Sequence, residues 1–292
     1  MPNAITLAQQ FVPILDDVYK NTSLTAVLDG APELARQGAN ANELIIPKLA
    51  MQGLGDYDRN SGYVDGDVTL TNETVKCGYD RGRMFNVDAL DDLESAGVAF
   101  GRLAGEFIRT KVVPEEDAYR FAQYCGISGI SKVGAPATLS TGAEAVAAIR
   151  EGTAKMDEDE VFADGRYLFI TPTILGMIQD MDTTKSREVL KDFAGVIKVP
   201  QSRFYTAIDL KTGKSGQEIG GYAKAGGAAD INFMIIQKNA VIQFTKHVAP
   251  KIITPELNQS GDAYKFGYRK VGIADAYENK VAGIYLHHKA AL

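Results

Sequence analysis

The sequence predicts a mixed α+β protein, on three observations: one long amphipathic helix, a ribbon of alternating strands ahead of it, and an irregular succession of short helices and strands behind it. The helix is the spine of the chain. In DALDDLESAGVAFGRLAGEFIRTKVV (88–113), Leu93, Ala96, Phe100, Leu103, Phe107 and Ile108 recur at helical spacing and predict one buried face. Asp92, Arg102, Glu106 and Arg109 form the charged face, with Arg102, Glu106 and Arg109 at spacings that permit intrahelical pairs. Asp88 is suited to the N-cap, acids fill the first turns and Arg109 and Lys111 the last, in the sense the helix dipole favours. Val113 before Pro114 predicts a break or kink, and Pro114-Glu115-Glu116 a second helical start.

Composition sets the frame. The 292 residues can bury a sizeable core, and 45% hydrophobic with 23% charged residues is ordinary for a globular protein. No window approaches the roughly 20 apolar residues of a membrane span. The N-terminus has neither a basic region nor a small-residue cleavage pattern, so synthesis and function in the cytoplasm are expected. Cys77 and Cys125 read as free, buried or half-buried thiols of a reduced compartment. A formal charge of −6 argues against a dedicated nucleic-acid reader, though not against enclosing nucleic acid without gripping it.

In chain order, residues 4–19 carry Ala8, Phe11, Val12, Leu15, Val18 and Tyr19 at helical spacing, and 21–44 reads as an extended arm. Residues 43–49, 68–71 and 75–87 alternate as strands around a Gly-, Asp- and Asn-rich tip, which predicts a long two-armed hairpin. A two-stranded ribbon of that length is marginal in water and is best explained by packing on another subunit. Beyond the spine, 143–149 reads as a helix capped by Thr141, 167–170 as a strand, and Thr171-Pro172 as the start of another helix. Strands are expected at 193–200 and 204–210. Runs 231–237 and 240–244, joined by Lys238 and Asn239, read as a hairpin, and 264–274 and 280–287 as two further strands.

Catalytic constellations were sought and each pattern is incomplete, so no catalytic, cofactor-binding or metal-binding residue is assigned and no cofactor is expected. Gly213-Lys214-Ser215 mimics the end of a phosphate loop, but its upstream glycine position is Ile208. Gly53 and Gly55 supply half of a dinucleotide fingerprint whose third position is Asp58. Ser128 lacks the second glycine of a nucleophile elbow. His287 and His288, adjacent on a strand, point to opposite faces, a poor geometry for a shared metal. The acids 157–160 lack EF-hand spacing. A cytoplasmic enzyme acting through Glu115, Glu116 and Asp117 is the rival reading from another class, and these acids are better explained as a first helical turn after Pro114.

The runs GLGDYDRNSGYVDGDVTLTNETVKCGYDRGRMFNVDALDD, FGRLAGEFIRTKVVPEEDAYRFAQ, YLFITPTILGMIQD and DAYKFGYRKVGIADAYENKVAGIYLHHK resemble the major capsid proteins of tailed bacteriophages of Gram-positive bacteria. The resemblance implies the tailed-phage coat-protein fold shared with encapsulins. It divides into an N-terminal arm (1–42), an extended loop (43–87), a peripheral domain (88–124 and 241–292) and an axial domain (125–240). It also implies a structural homo-oligomer, self-assembling into hexamers and pentamers of an icosahedral virion capsid around double-stranded DNA. Assembly would take place in the host bacterial cytoplasm, with a portal and a separate scaffolding protein, if any, as partners and no membrane. An encapsulin-type compartment shell is the alternative on the same fold. Expected inter-subunit contacts are Phe11, Val12 and Leu15 of the arm, Asp56, Asp58 and Arg59 at the hairpin tip, and Asp80, Arg81 and Arg83 at its base. Lys48 and Asn60 lie in the hairpin without an acidic catalyst for an isopeptide bond, so no covalent cross-link is expected.

Overall fold

The computed structural model describes residues 23–30, 36–37, 43–60, 62–88 and 98–290. The helix expected at 4–19 with Phe11, Val12 and Leu15, the first turns of the spine after Asp88, and the side chain of Arg102 lie outside the described residues. From Val98 the spine runs through Phe107, a π-type turn at Ile108–Val112, and a second segment Val113–Gly126, about 43 Å in all. The second helical segment expected from Pro114 is present, but the rod does not break there. Val112 and Val113 both hold right-handed helical dihedrals and the helix continues. A proline has no N–H and crowds the carbonyl four residues back. The wider π-type turn immediately before it accommodates both defects without ending the rod.

Of the expected stripe from Leu103 onward, Ile108 is buried and Leu103 and Phe107 are half-buried. Ala104, Ile108, Val112 and Val113 pack with Phe266 and Tyr268, while Glu106 and Arg109 form an exposed ion pair at 2.8 Å. Their partner layer is a three-stranded antiparallel sheet in the order Val241–Ile253, Ala263–Ala276, Tyr79–Asp88.

A mixed five-stranded sheet forms the other layer. Its order is Ser131–Lys132, Ile284–His288, Ile231–Gln237, Arg166–Ile170, Gly195–Lys198, with parallel pairs at both edges and antiparallel pairs at the centre. The central strand is buried at every position, as the apolar run INFMIIQ requires. Leu168, Ile170, Phe233 and Ile235 pack on one face against helices Gly142–Glu158, Pro172–Asp180 and Thr184–Lys191. Phe169, Met234, Ile236 and Leu286 pack on the other against Phe121 and Tyr124 of the spine. Period-two alternation would put Ile231 with Phe233, but a register shift between them sends Ile231 to the spine side. Gly152 permits the closest helix approach, since a Cβ there would meet the Tyr285 ring at 2.7 Å.

Several strand readings change. Tyr79–Asp88 is not the second arm of the hairpin: the arms are Glu43–Met51 and Val68–Lys76, in register from Glu43↔Lys76 to Met51↔Val68, the short strand Arg36–Gln37 adds a third to the expected two, and the chain switches sheets at Cys77 and Gly78. The runs at 231–237 and 240–244 are not a hairpin. A 3-10 turn at Lys238–Ala240 carries the chain from the five-stranded sheet into the three-stranded one, and Glu278–Gly283 carries it back. Apolar partners on both sides of each connection, rather than turn chemistry, decide these pairings. The strand expected at 204–210 is only Ile208–Leu210, and the helix Thr184–Lys191, capped by a reciprocal Thr183–Ser186 pair, was missed. The Thr141 cap is present as a full capping box with Glu144, and its helix extends to Glu158.

His287 sits in the core of this layer, stacked on Phe233 at 4.9 Å, with Nδ1 3.0 Å from Asn232. Burial, aided by the neighbouring His288, pushes its imidazole down to about 4. The unfolded chain binds this proton from roughly pH 6.5 downward. The native state therefore holds fewer protons between about pH 6.5 and 4, and stability falls as pH falls through that window, by about 3 kcal/mol at its end. His287→Gln is expected to flatten this slope, read from urea midpoints at pH 7 and pH 4.5.

Candidate assembly surfaces

Two regions stand out: the exposed hairpin and a buried polar anchor that fixes the arm to the spine. At the hairpin tip, Asp58 and Gly62 form a backbone bridge with N–O distances of 3.2 and 2.8 Å. The Asp58 carboxylate accepts from Asn60 N at 2.6 Å, and the Tyr57 and Tyr63 rings lie 4.8 Å apart. Asp56, Asp58 and Arg59 are all exposed. So are Leu54, Tyr63, Val64, Val68 and Leu70, an apolar surface no described part of the chain covers.

At the base, the three predicted contact residues are engaged within the chain. Asp80 accepts two bonds from Arg269, at 2.8 and 2.6 Å, which hold its carboxyl below the usual range. Arg81 Nε donates to Glu115 at 2.7 Å. Arg83 donates to the carbonyls of Ile219 and Glu218, at 3.1 and 2.7 Å, clasping the loop 211–221 against the three-stranded sheet.

The anchor is built on the acids after Pro114. Asp117 is fully buried and accepts from Ser23 Oγ at 2.9 Å, Leu24 N at 3.1 Å, Thr25 Oγ1 at 2.7 Å and Arg203 Nη1 at 3.3 Å. Burial raises its pKa, and the bonds from Thr25, Leu24 and Ser23 with the charge of Arg120 oppose that rise. Arg120 donates to Thr25 Oγ1 at 2.8 Å. Gln243 Nε2 donates to Thr25 O and Asp29 Oδ1, both at 2.7 Å, and Leu28 inserts into the apolar cluster around Phe121. Beside it, Glu116 pairs with Arg120 at 2.9 Å and Lys270 at 2.7 Å, all three almost fully buried. Burial pushes Lys270 down to about 8 against the opposing pull of Glu116.

Sequence reasoning saw these acids only as a first helical turn. The anchor joins residues more than 90 positions apart, and the one local hint was three consecutive acids on a helix followed at once by an apolar face. Cys77 is half-buried and Cys125 buried, both free. Among the described residues no group of His, Cys, Asp and Glu is placed to hold a metal ion, and no helix is long and apolar enough to cross a membrane.

No family model and no curated protein sequence matches the chain. Solved structures do. A structure from Mycobacterium phage Che8 superposes with a TM-score of 0.60 at 12% identity, over 91% of this chain and 90% of that one. The virus-like particle from Pyrococcus furiosus gives 0.57 at 13% identity, over 94% and 95%. The capsid of the cyanophage P-SCSP1u gives 0.55 at 10% identity, over 88% and 86%. Over about nine-tenths of its length the chain therefore has the fold of tailed-phage capsid shell proteins.

Proposed function

We propose that this chain is a major capsid protein, whose copies form hexamers and pentamers of an icosahedral shell enclosing double-stranded DNA in a tailed-phage virion. The observation that carries this reading is an exposed apolar hairpin on a chain with the capsid shell fold, since a ribbon of that kind needs a second surface to cover it. The protein acts by geometry rather than catalysis and needs no cofactor. Assembly takes place in the bacterial cytoplasm, with a portal and a separate scaffolding protein, if any, as partners.

Within this reading the division into arm, extended loop, peripheral domain and axial domain is kept, with strand exchange at two points. Tyr79–Asp88 serves the peripheral sheet and Ile284–His288 the axial one. Contacts with neighbours fall to Asp56, Asp58 and Arg59 with the apolar tip, and to Phe11, Val12 and Leu15. Asp80, Arg81 and Arg83 contribute by holding the hairpin base rigid.

Expression of the chain alone, followed by size-exclusion chromatography and electron microscopy, tests the proposal. Closed shells, tubes or hexamers are expected; a stable monomer at all concentrations overturns it. A compartment shell that encloses protein cargo is the second and less specific reading, motivated by the likeness to the virus-like particle from Pyrococcus furiosus. Nuclease-protected DNA inside native particles supports the capsid, and a packaged enzyme supports the compartment.

A further inference from the structure

The largest cavity among the described residues, about 920 Å³, is a groove between the spine, the strand Tyr79–Asp88 and the loop 211–221. Its floor is apolar and unfinished: Phe85, Leu103 and Phe107 pack on Phe266 and Tyr268 yet stay only half-buried. Ile219 on the facing loop is 90% exposed. The walls are fixed before anything binds. The loop is tied to itself, Lys211 N donating to Gly221 O and Gly220 N to Gln217 O, both at 2.9 Å. Arg83 ties it to the strand, and Gly220 permits that approach, since a Cβ there would lie 2.8 Å from Arg83 Nη1.

The groove also carries uncompensated positive charge. Of the cations that line it, Arg81 pairs with Glu115 and Lys270 with Glu116, and the other lining carboxylate, Glu106, pairs with Arg109. Lys111 and Lys211 have no carboxylate partner among the described residues, on a chain whose formal charge is −6. The guanidinium forks of Arg81 and Arg83 are spent on Glu115 and on loop carbonyls, so the free cations are point charges that select an anion without a bidentate clamp. A preformed apolar cavity with a few convergent polar groups, within the range of about 300–1,000 Å³, is the form of a small-molecule site. From Leu103 to Lys111 the spine rises about 12 Å, which sets the reach from floor to cationic rim. We propose that the groove binds one medium-chain aliphatic carboxylate, its tail on Phe85, Leu103 and Phe107 and its carboxylate at Lys111 and Lys211. Burial of the tail supplies the affinity, and the two ammonium groups set the orientation. The site belongs to the single chain and does not rest on the capsid reading.

Titration calorimetry on the full-length chain with decanoate, below its micelle concentration, tests the proposal. One site per chain is expected. Octanoate, shorter by two methylenes, should bind about tenfold more weakly, and decanol and decylamine about tenfold or more below decanoate. Lys111→Gln with Lys211→Gln is expected to weaken decanoate binding about tenfold or more. Lys185→Gln with Lys191→Gln, on the helix across the five-stranded sheet, should leave it unchanged. In parallel, decanoate is expected to slow acetylation of Lys111 and Lys211, but not of Lys185 and Lys191, as read by peptide mass spectrometry. No binding, or equal binding of decanol or decylamine, overturns the proposal. Binding lost in Leu54→Asp with Val64→Asp overturns it in favour of the exposed hairpin as the site. Lys111 and Lys211 already protected without ligand overturn it in favour of a protein segment seated in the groove.

Discussion

Glu116→Ala is expected to destabilise the folded chain by about 3–5 kcal/mol, one of the largest effects available to a single substitution here. The carboxylate lies 2% exposed between Arg120 at 2.9 Å and Lys270 at 2.7 Å. Its removal takes away the carboxylate that two buried cations share, while Arg120 keeps Asp29 at 3.5 Å and Thr25 Oγ1 at 2.8 Å, so less of the desolvation of the two cations is offset and their mutual repulsion grows. The loss is electrostatic rather than steric. Lys270→Met in the same chain should therefore recover much of it, while Lys270→Met combined with a distant core change should simply add. Urea unfolding followed by circular dichroism, with unchanged slope, measures both. A single-variant loss below about 1 kcal/mol, the range of exposed pairs, would show that this cluster does not anchor the spine to the strand Ala263–Ala276.

Removal of residues 54–65 is expected to abolish closed particles while leaving the monomer folded. Among the described residues of this stretch Asp58 and Gly62 form a backbone bridge at the tip, and Leu54, Tyr57, Tyr63 and Val64 are exposed, so the apolar clusters around both sheets keep all their side chains. What is lost is the covering of that apolar surface by another copy, which favours association in proportion to the area buried. Leu54→Asp with Val64→Asp should reproduce the defect without shortening the chain. Electron microscopy counts closed particles, and the urea midpoint reports the fold. Normal shells from the deleted chain would remove the hairpin tip from assembly.

How much was readable beforehand depended on whether the cause was local. The Thr141 capping box, the Thr171-Pro172 helix start and the helical stripe of Leu103, Phe107 and Ile108 follow from residues within a few positions of one another. Propensity, caps and periodicity act over that range, so their signals survive in the linear chain. Even the long patterned runs that resemble phage coat proteins are of this kind, and they pointed to the fold that the structural likeness shows.

Pairing partners were decided elsewhere. Apolar alternation states that Tyr79–Asp88 is a strand, but the exposed hairpin and the partly buried Ala263–Ala276 offered it two neighbours, and only the latter has the spine behind it to bury Phe85. Pro114 has a local penalty, which the π-type turn and the packing of Val112 and Val113 override. The roles of Glu115, Glu116 and Asp117 exist only because the arm, Arg81, Arg203 and Lys270 converge on one turn of helix. The sequence by itself determined the spine, most of the elements and the capsid-like layout. The tertiary structure alone decided which strands pair and which charges are buried, because those free energies belong to contacts between residues tens to hundreds of positions apart.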